Sequence, residues 1–237
     1  MQPNFRSPAL ALALTILAAC SQSQPPPAAV PAAPPASQTQ GKKELELYRQ
    51  LLEQKSYELA APIGAEIVQK FPQSDAAKEV QQTLADITAK AGEDAARRRL
   101  ERLWSYQASK ESGAEQIHAS IYSSDVAADA RVRLILRRHA EWGQSVYLFG
   151  SGKGFECKGL CSLDASFDDK PTKLAAYLPD TGEPAIFIKD DKAFIAKMAA
   201  AKVFTVKVTE KGKAPRTLKF EVGGYDASKF PPLKKNK

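Results

Sequence analysis

From Trp104 onward the apolar residues of this chain recur at every second position, and that period constrains the fold more than any other feature. Ile117, Ala119 and Ile121 alternate with His118, Ser120 and Tyr122. Val132, Leu134 and Leu136 alternate with Arg131, Arg133, Ile135 and Arg137. Cys161, Leu163, Ala165 and Phe167 alternate with Ser162, Asp164, Ser166 and Asp168, and Leu218, Phe220 and Val222 with Thr217, Lys219 and Glu221. Successive side chains of a strand point to opposite faces, so each run reads as a strand with one buried face, the pattern of antiparallel sheets. Further strands are expected at 104–109, 144–149, 172–178, 184–189 and 202–209. Gly152-Lys153-Gly154, Asp180-Thr181-Gly182 and Lys211-Gly212-Lys213 read as turns. One helix interrupts the strands: Asp190-Asp191 suits its N-terminus, and Phe194, Ile195, Met198 and Ala201 form its apolar stripe. Many short strands at this spacing predict a β-sandwich or barrel over 104–226, followed by a basic tail over 227–237.

Upstream the period is helical. Leu45, Tyr48, Leu51 and Leu52 form one set, Tyr57, Ala60, Ala61, Ala65, Ile67 and Val68 a second, and Val80, Leu84, Ile87 and Ala91 a third. Phe71-Pro72-Gln73-Ser74-Asp75 separates the last two: proline stops a helix, and Ser74 or Asp75 caps the next. Gly92 is expected to break or kink the third helix. The fold class is therefore α+β, with a helical part over 42–103 ahead of the sheet. Helix, turn, helix, F-P-x-S and helix again resembles the tetratricopeptide repeats of bacterial envelope proteins, and the likeness covers one repeat and a cap. A plain helical hairpin packed on the next domain is the other reading of these residues. Ahead of it, residues 20–41 form a segment of proline, alanine, serine and glutamine without charge, which cannot bury a core and favours polyproline II. At ~3.1 Å per residue such a segment spans roughly 60 Å.

The first residues place the chain in a compartment. Arg6 precedes the short apolar run Ala9–Ile16, and Leu17-Ala18-Ala19 leads to Cys20. A basic start, a short apolar core and small residues before a cut describe a secretory signal over 1–19. The run Leu17-Ala18-Ala19-Cys20 resembles the lipobox of bacterial lipoproteins. The resemblance implies lipidation of Cys20, which becomes the mature N-terminus, and Ser21 implies sorting to the outer membrane on its periplasmic side. Multiple acyl chains hold an anchor stably. In that oxidising compartment the two remaining cysteines, Cys157 and Cys161, are expected to pair as a disulfide across a hairpin turn. A zinc site would need two more ligands, and the two histidines, His118 and His139, lie far away in sequence.

Trp104-Ser105-Tyr106, Leu134-Ile135-Leu136-Arg137, Phe155-Glu156-Cys157, Cys161, Phe167-Asp168-Asp169 and Leu218-Lys219-Phe220 together resemble a β-domain that recurs in uncharacterised proteobacterial and phage-encoded proteins. The resemblance spans 104–224 and implies a core and a disulfide staple, but no activity.

Catalytic signatures are weak. Gly150-Ser151-Gly152-Lys153-Gly154 lies between strands, whereas phosphate loops open a helix. Asp164, Asp168 and Asp169 could approach a cation, but calcium takes 6–8 oxygens arranged by a turn, and a solvated strand end explains them. No G-x-S-x-G or H-E-x-x-H motif accompanies His118 or His139. No catalytic residue, metal ligand or cofactor is therefore assigned. Charge is more informative: residues 105–237 hold 22 basic and 16 acidic side chains. Arg131, Arg133 and Arg137 share the outward parity of one strand, with Arg138 beside them. Arg97, Arg98, Arg99 and Arg102 crowd the end of the third helix, and Lys234, Lys235 and Lys237 end the chain. A basic patch attracts anionic surfaces over about a Debye length. The expectation is a non-enzymatic, outer-membrane-anchored periplasmic lipoprotein, a binding or scaffold module with an envelope protein or anionic envelope component as partner and no nucleic acid. The alternative is a hydrolase or hydrolase inhibitor acting on cell wall or envelope protein.

Overall fold

Three helices lead the chain into the sheet. The computed structural model describes residues 35–124, 130–150 and 152–233, with side chains from residue 41. Cys20, the signal segment, most of the proline-rich stretch and Lys234, Lys235 and Lys237 lie outside the described residues. Helix α1 (Pro35–Glu53) starts inside the stretch expected as linker, with proline at its first position, where a missing N–H costs nothing. It ends at Lys55, whose φ of 55° is left-handed, with Ser56 N–H bonded to Leu51 O and Lys55 N–H to Leu52 O. That is a Schellman cap with lysine in glycine's usual place. Helix α2 (Tyr57–Lys70) buries Ala60, Gly64 and Ile67. Ser74 caps α3 (Asp75–Glu101) by accepting the Ala77 N–H at 3.1 Å. The expected break at Gly92 does not occur: α3 is one helix of 27 residues. A Cβ added at Gly92 would meet nothing within 4 Å, so glycine there reflects no close packing. Leu45, Tyr48, Ile67, Ala77 and Val80 form a core separate from that of the sheet.

The nine strands are β1 (Trp104–Glu111), β2 (Ala114–Tyr122), β3 (Arg133–His139), β4 (Gly143–Phe149), β5 (Cys161–Phe167), β6 (Lys170–Tyr177), β7 (Ala185–Ile188), β8 (Phe204–Val208) and β9 (Arg216–Phe220), with α4 (Asp191–Ala199) between β7 and β8. All pair antiparallel in one sheet of order β1-β2-β3-β4-β7-β6-β5-β8-β9. Two-residue turns with positive φ at both positions, Ser112-Gly113 and Asp168-Asp169, close the β1–β2 and β5–β6 hairpins. That is the type I′ geometry matching strand twist. Asp190 caps α4 through the Ala193 N–H.

The nine strands form one sheet whose two halves share one core, and it is not closed into a barrel. A single bridge, Ser124 to Lys219, brings the end of β2 to β9. Leu134, Leu136, Val146 and Leu148 from one half meet Phe204, Val206, Leu218 and Phe220 from the other. Phe194 of α4 packs 5.0 Å from Phe204 and 5.5 Å from Phe167, centre to centre.

The last described residues pack on the sheet instead of trailing as a tail. A 3-10 turn, Val222–Gly224, lies against the end of α3, where Arg99 bonds Glu221 at 2.7 Å. Trp104 Nε1 donates to Val222 O at 3.3 Å. Phe230 is 1% exposed.

The sulfurs of Cys157 and Cys161 are bonded, with Cα atoms 5.6 Å apart. No hairpin ladder spans them, contrary to expectation. The chain lies along the β8 line at both ends of this stretch, Phe155 bridging Glu210 and Ala165 opposite Val206, and loops out between. The disulfide ties the base of that loop. Glu210, on the same line, is a buried carboxylate paired with Arg216 and, at 2.7 Å, with Lys213.

Candidate functional site

Strand register sets rows of side chains across the outer face of the sheet. One row runs Gln107, His118, Arg137, Ser145 from β1 to β4. The next runs Ser105, Ser120, Ile135, Tyr147, Phe187, Tyr177, crossing to β7 and β6. A third holds Tyr122, Arg133 and Phe149. In the middle row the rings of Tyr147 and Phe187 stack at 4.7 Å, and those of Phe187 and Tyr177 at 5.6 Å. The Arg137 guanidinium lies 5.3 Å from the Trp142 ring centre and 5.6 Å from that of Tyr147, and its Nε donates to Ser145 Oγ at 3.2 Å. Arg133 lies 5.9 Å from the Tyr122 ring. Cations over aromatic faces are attracted by the ring quadrupole and held in place. Tyr122, Trp142 and Tyr177 are exposed, while Ile135 is buried under the arginines and Tyr147. The outward parity of Ile135 thus reflects a covered face, not a solvated one.

At the centre is a dimple of about 40 Å³ lined by Gln107, His118, Ser120, Arg133, Ile135 and Tyr147. His118 Nε2 is buried there with no hydrogen-bond partner among the described residues. Burial, then the nearby Arg137 charge, holds the His118 imidazole below its usual range. Burial raises the Tyr147 hydroxyl, against the pull of Arg137 and Arg133.

Ion pairing divides the arginines. Arg49, Arg97, Arg98, Arg99 and Arg216 each hold a carboxylate within 4.0 Å. Arg102 at the end of α3 holds none among the described residues, and neither do Arg131, Arg133, Arg137 and Arg138. These four do not form one stripe. Arg133 and Arg137 share the outer face. Arg131 is exposed and precedes β3. Arg138 has the opposite parity: its guanidinium lies 4.5 Å from the buried Phe230 ring and its Nε donates to Gln144 at 3.2 Å. The inner face therefore carries a cation where the core ends and the C-terminal segment covers it.

Other candidates are engaged in holding the fold. His139 Nδ1 accepts the Glu141 and Trp142 N–H groups at 3.2 Å, and its ring stacks on Trp142 at 3.8 Å, so it orders the β3–β4 turn. Asp168 accepts backbone N–H groups of Lys202 and Val203, which hold its carboxyl below the usual range. It sits in the turn beside Asp169, not on the strand face of Asp164, and Asp164 pairs with Lys173 at 2.6 Å. Among the described residues no group of three or more His, Cys, Asp or Glu converges as a metal site, and no helix is long and apolar enough to cross a membrane. The aromatic members of the face, Tyr122, Trp142, Tyr147, Phe187 and Tyr177, were not identified with the arginines from sequence. Their common parity was legible, but their adjacency depends on the β4–β7–β6 order.

No protein-family model matches the chain, and no curated protein matches it. Among solved structures, the crystal structure of invasion associated protein b from Bartonella henselae is similar at 16% identity and a TM-score of 0.35, covering 52% of this chain and 84% of that one.

Proposed function

We propose that this protein is a non-enzymatic lipoprotein of the bacterial envelope, anchored at the outer membrane through Cys20, whose sheet binds an anionic partner on its outer face. The observation that carries the reading is the placement of Arg133 and Arg137. Among the described residues they stand without carboxylate partners in a face of tyrosine, tryptophan and phenylalanine, whereas half of the described arginines are ion-paired. Arginine, tyrosine and tryptophan are the residues that dominate binding hot spots. An unpaired guanidinium over a ring is also weakly hydrated and geometrically fixed, which suits it to oxyanions. The helical part, read as repeat-like, acts as a spacer or scaffold element. The bonded Cys157–Cys161 pair supports an oxidising compartment. The engagement of His139 and Asp168 with backbone groups supports a binding role over a hydrolytic one.

The test uses the full chain carrying Cys20→Ala, so that no lipid anchor contributes. The parent should sediment with phosphatidylglycerol-containing vesicles and not with phosphatidylcholine alone, and should do so less at moderate salt. Arg133→Gln with Arg137→Gln should leave the circular dichroism unchanged and abolish the difference. Equal sedimentation of parent and double variant at both salts refutes the binding face. Intact mass of the unmodified protein checks the anchor separately.

A further inference from the structure

We propose that the dimple between β1, β2, β3 and β4 is a seat for one phosphate monoester group, a deepening that rests on the binding-face reading above. Every polar side chain lining it can donate: the Arg133 guanidinium, the Ser120 and Tyr147 hydroxyls, the Gln107 amide and a ring nitrogen of His118. Arg137 borders it, directly opposite His118 in the β2–β3 register. Among the described residues no carboxylate lines it. The volume, about 40 Å³, exceeds the ~10–15 Å³ that a single water-sized group needs and is too small for a whole phosphate group. One phosphate oxygen therefore enters the dimple while phosphorus and the other oxygens stay at the mouth, between the two guanidiniums. Charge selects the ligand. A phosphate monoester carries about −1.5 to −2 at neutral pH, which matches the two guanidiniums, whereas a single carboxylate leaves one uncompensated. The buried His118 Nε2 without a partner is the atom such an oxygen would satisfy. Tyr147 and Trp142 hold Arg137 and Tyr122 holds Arg133, so the rim keeps the guanidiniums in position and shields the contact from water.

The experiment titrates the full chain carrying Cys20→Ala with inorganic phosphate, using chloride at equal ionic strength as control. Side-chain NMR signals of Arg133, Arg137 and His118 are the readout. The parent should shift at these three residues and saturate. His118 should also titrate at higher pH when phosphate is bound, against a background set by Arg133 and Arg137 on β3, Tyr147 on β4, Glu111 on β1 and His139 at the end of β3. Ser120→Val fills the dimple with methyl groups, suits a strand and keeps both guanidiniums, so it should weaken phosphate binding about tenfold or more. Vesicles containing phosphatidic acid separate the sources: competition by inorganic phosphate identifies the lipid headgroup as the physiological ligand type, and saturation by phosphate without vesicle binding identifies the free anion. Absence of phosphate-specific shifts, or equal affinity in Ser120→Val and parent, overturns the seat. If Ser120→Val binds inorganic phosphate as the parent does and only the double arginine variant loses vesicle binding, the seat falls and the binding face stands.

Discussion

Gly224→Ala tests how the helices are joined to the sheet. A Cβ built on Gly224 lies 2.2 Å from Leu100 C, 2.3 Å from Leu100 O and 2.4 Å from Glu101 N, all backbone atoms at the end of α3. Carbon contacts settle at ~3.5–4.0 Å, so the turn and the helix must separate by about 1.3 Å from the 2.2 Å contact. Backbone cannot swing aside as a long side chain can. The Arg99–Glu221 pair and the Trp104–Val222 hydrogen bond span the same joint and are disturbed together. Overpacking costs roughly 1–3 kcal/mol, occasionally more, and a clash against backbone belongs at the upper end, about 3 kcal/mol. For a chain of this size that lowers Tm by about 10 °C. Thermal unfolding followed by circular dichroism, with Trp104 fluorescence reporting on the joint, measures it. Two glycines calibrate the series. At Gly223 the nearest atom is Lys202 Cα at 3.3 Å, so alanine should cost about 1 kcal/mol or less. At Gly92, inside α3 with open space around it, alanine should stabilise by roughly 0.5–1 kcal/mol. A Gly224→Ala protein as stable as the parent, or no more affected than Gly223→Ala, refutes the tight joint.

Glu210→Gln removes the charge from a buried carboxylate bonded to Lys213 and Arg216, and because the cations left behind reach solvent, loss of these charge-assisted bonds costs about 1.5–3 kcal/mol. Burial alone raises the Glu210 carboxyl, but its bonds to Lys213 and Arg216 outweigh this and hold it below its usual 4.5. Its contribution is therefore complete above that value and disappears as pH falls through the lower folded-state value. Urea midpoints measured on the acid side of neutrality should converge for parent and variant as the pH drops, and a constant gap would contradict this. Lys55→Gly relieves a left-handed residue at the α1 cap and should stabilise by about 1 kcal/mol in urea unfolding. Cys157→Ser with Cys161→Ser opens only a short loop, so it should cost about 2 kcal/mol by the same assay. Thiol titration of the Cys20→Ala chain should find no reactive cysteine.

Strand positions, turns and α4 were legible because each depends on local alternation and capping. Leu134 and Leu136 had to face one way and Arg133 and Arg137 the other, whatever lay beside them. What local pattern does not contain is adjacency. Nothing in the β4 segment says that its neighbour is β7 and not β5, so the Tyr147–Phe187–Tyr177 row and its position beside the arginines were beyond reach. Arg138 shows the same limit. Its parity was readable, but its aromatic cover, Phe230, comes from a segment whose lysines suggested a solvated tail. Gly92 was over-read: intrinsic helix propensity is a weak prior, and flanking turns rich in alanine and charged residues carry α3 through it. The cysteine loop could not be foreseen as an excursion within one strand line, because only the β8 partners on either side reveal it.

The tie between Ser124 and Lys219 has a consequence for how another polypeptide could engage the sheet. An open sheet has two margins whose unpaired backbone groups can template an incoming strand. At the β9 margin, Lys219 O is taken by Ser124, and Arg216 reaches the Ala130 carbonyl at 2.7 Å. At the β1 margin, the strand ends in the charged Lys110 and Glu111, which disfavour an incoming strand. Strand-by-strand extension is thus discouraged, by occupied backbone groups at β9 and by charge at β1, which guards against fibrous self-association and leaves the side chains of the sheet's broad face as the surface open to another polypeptide.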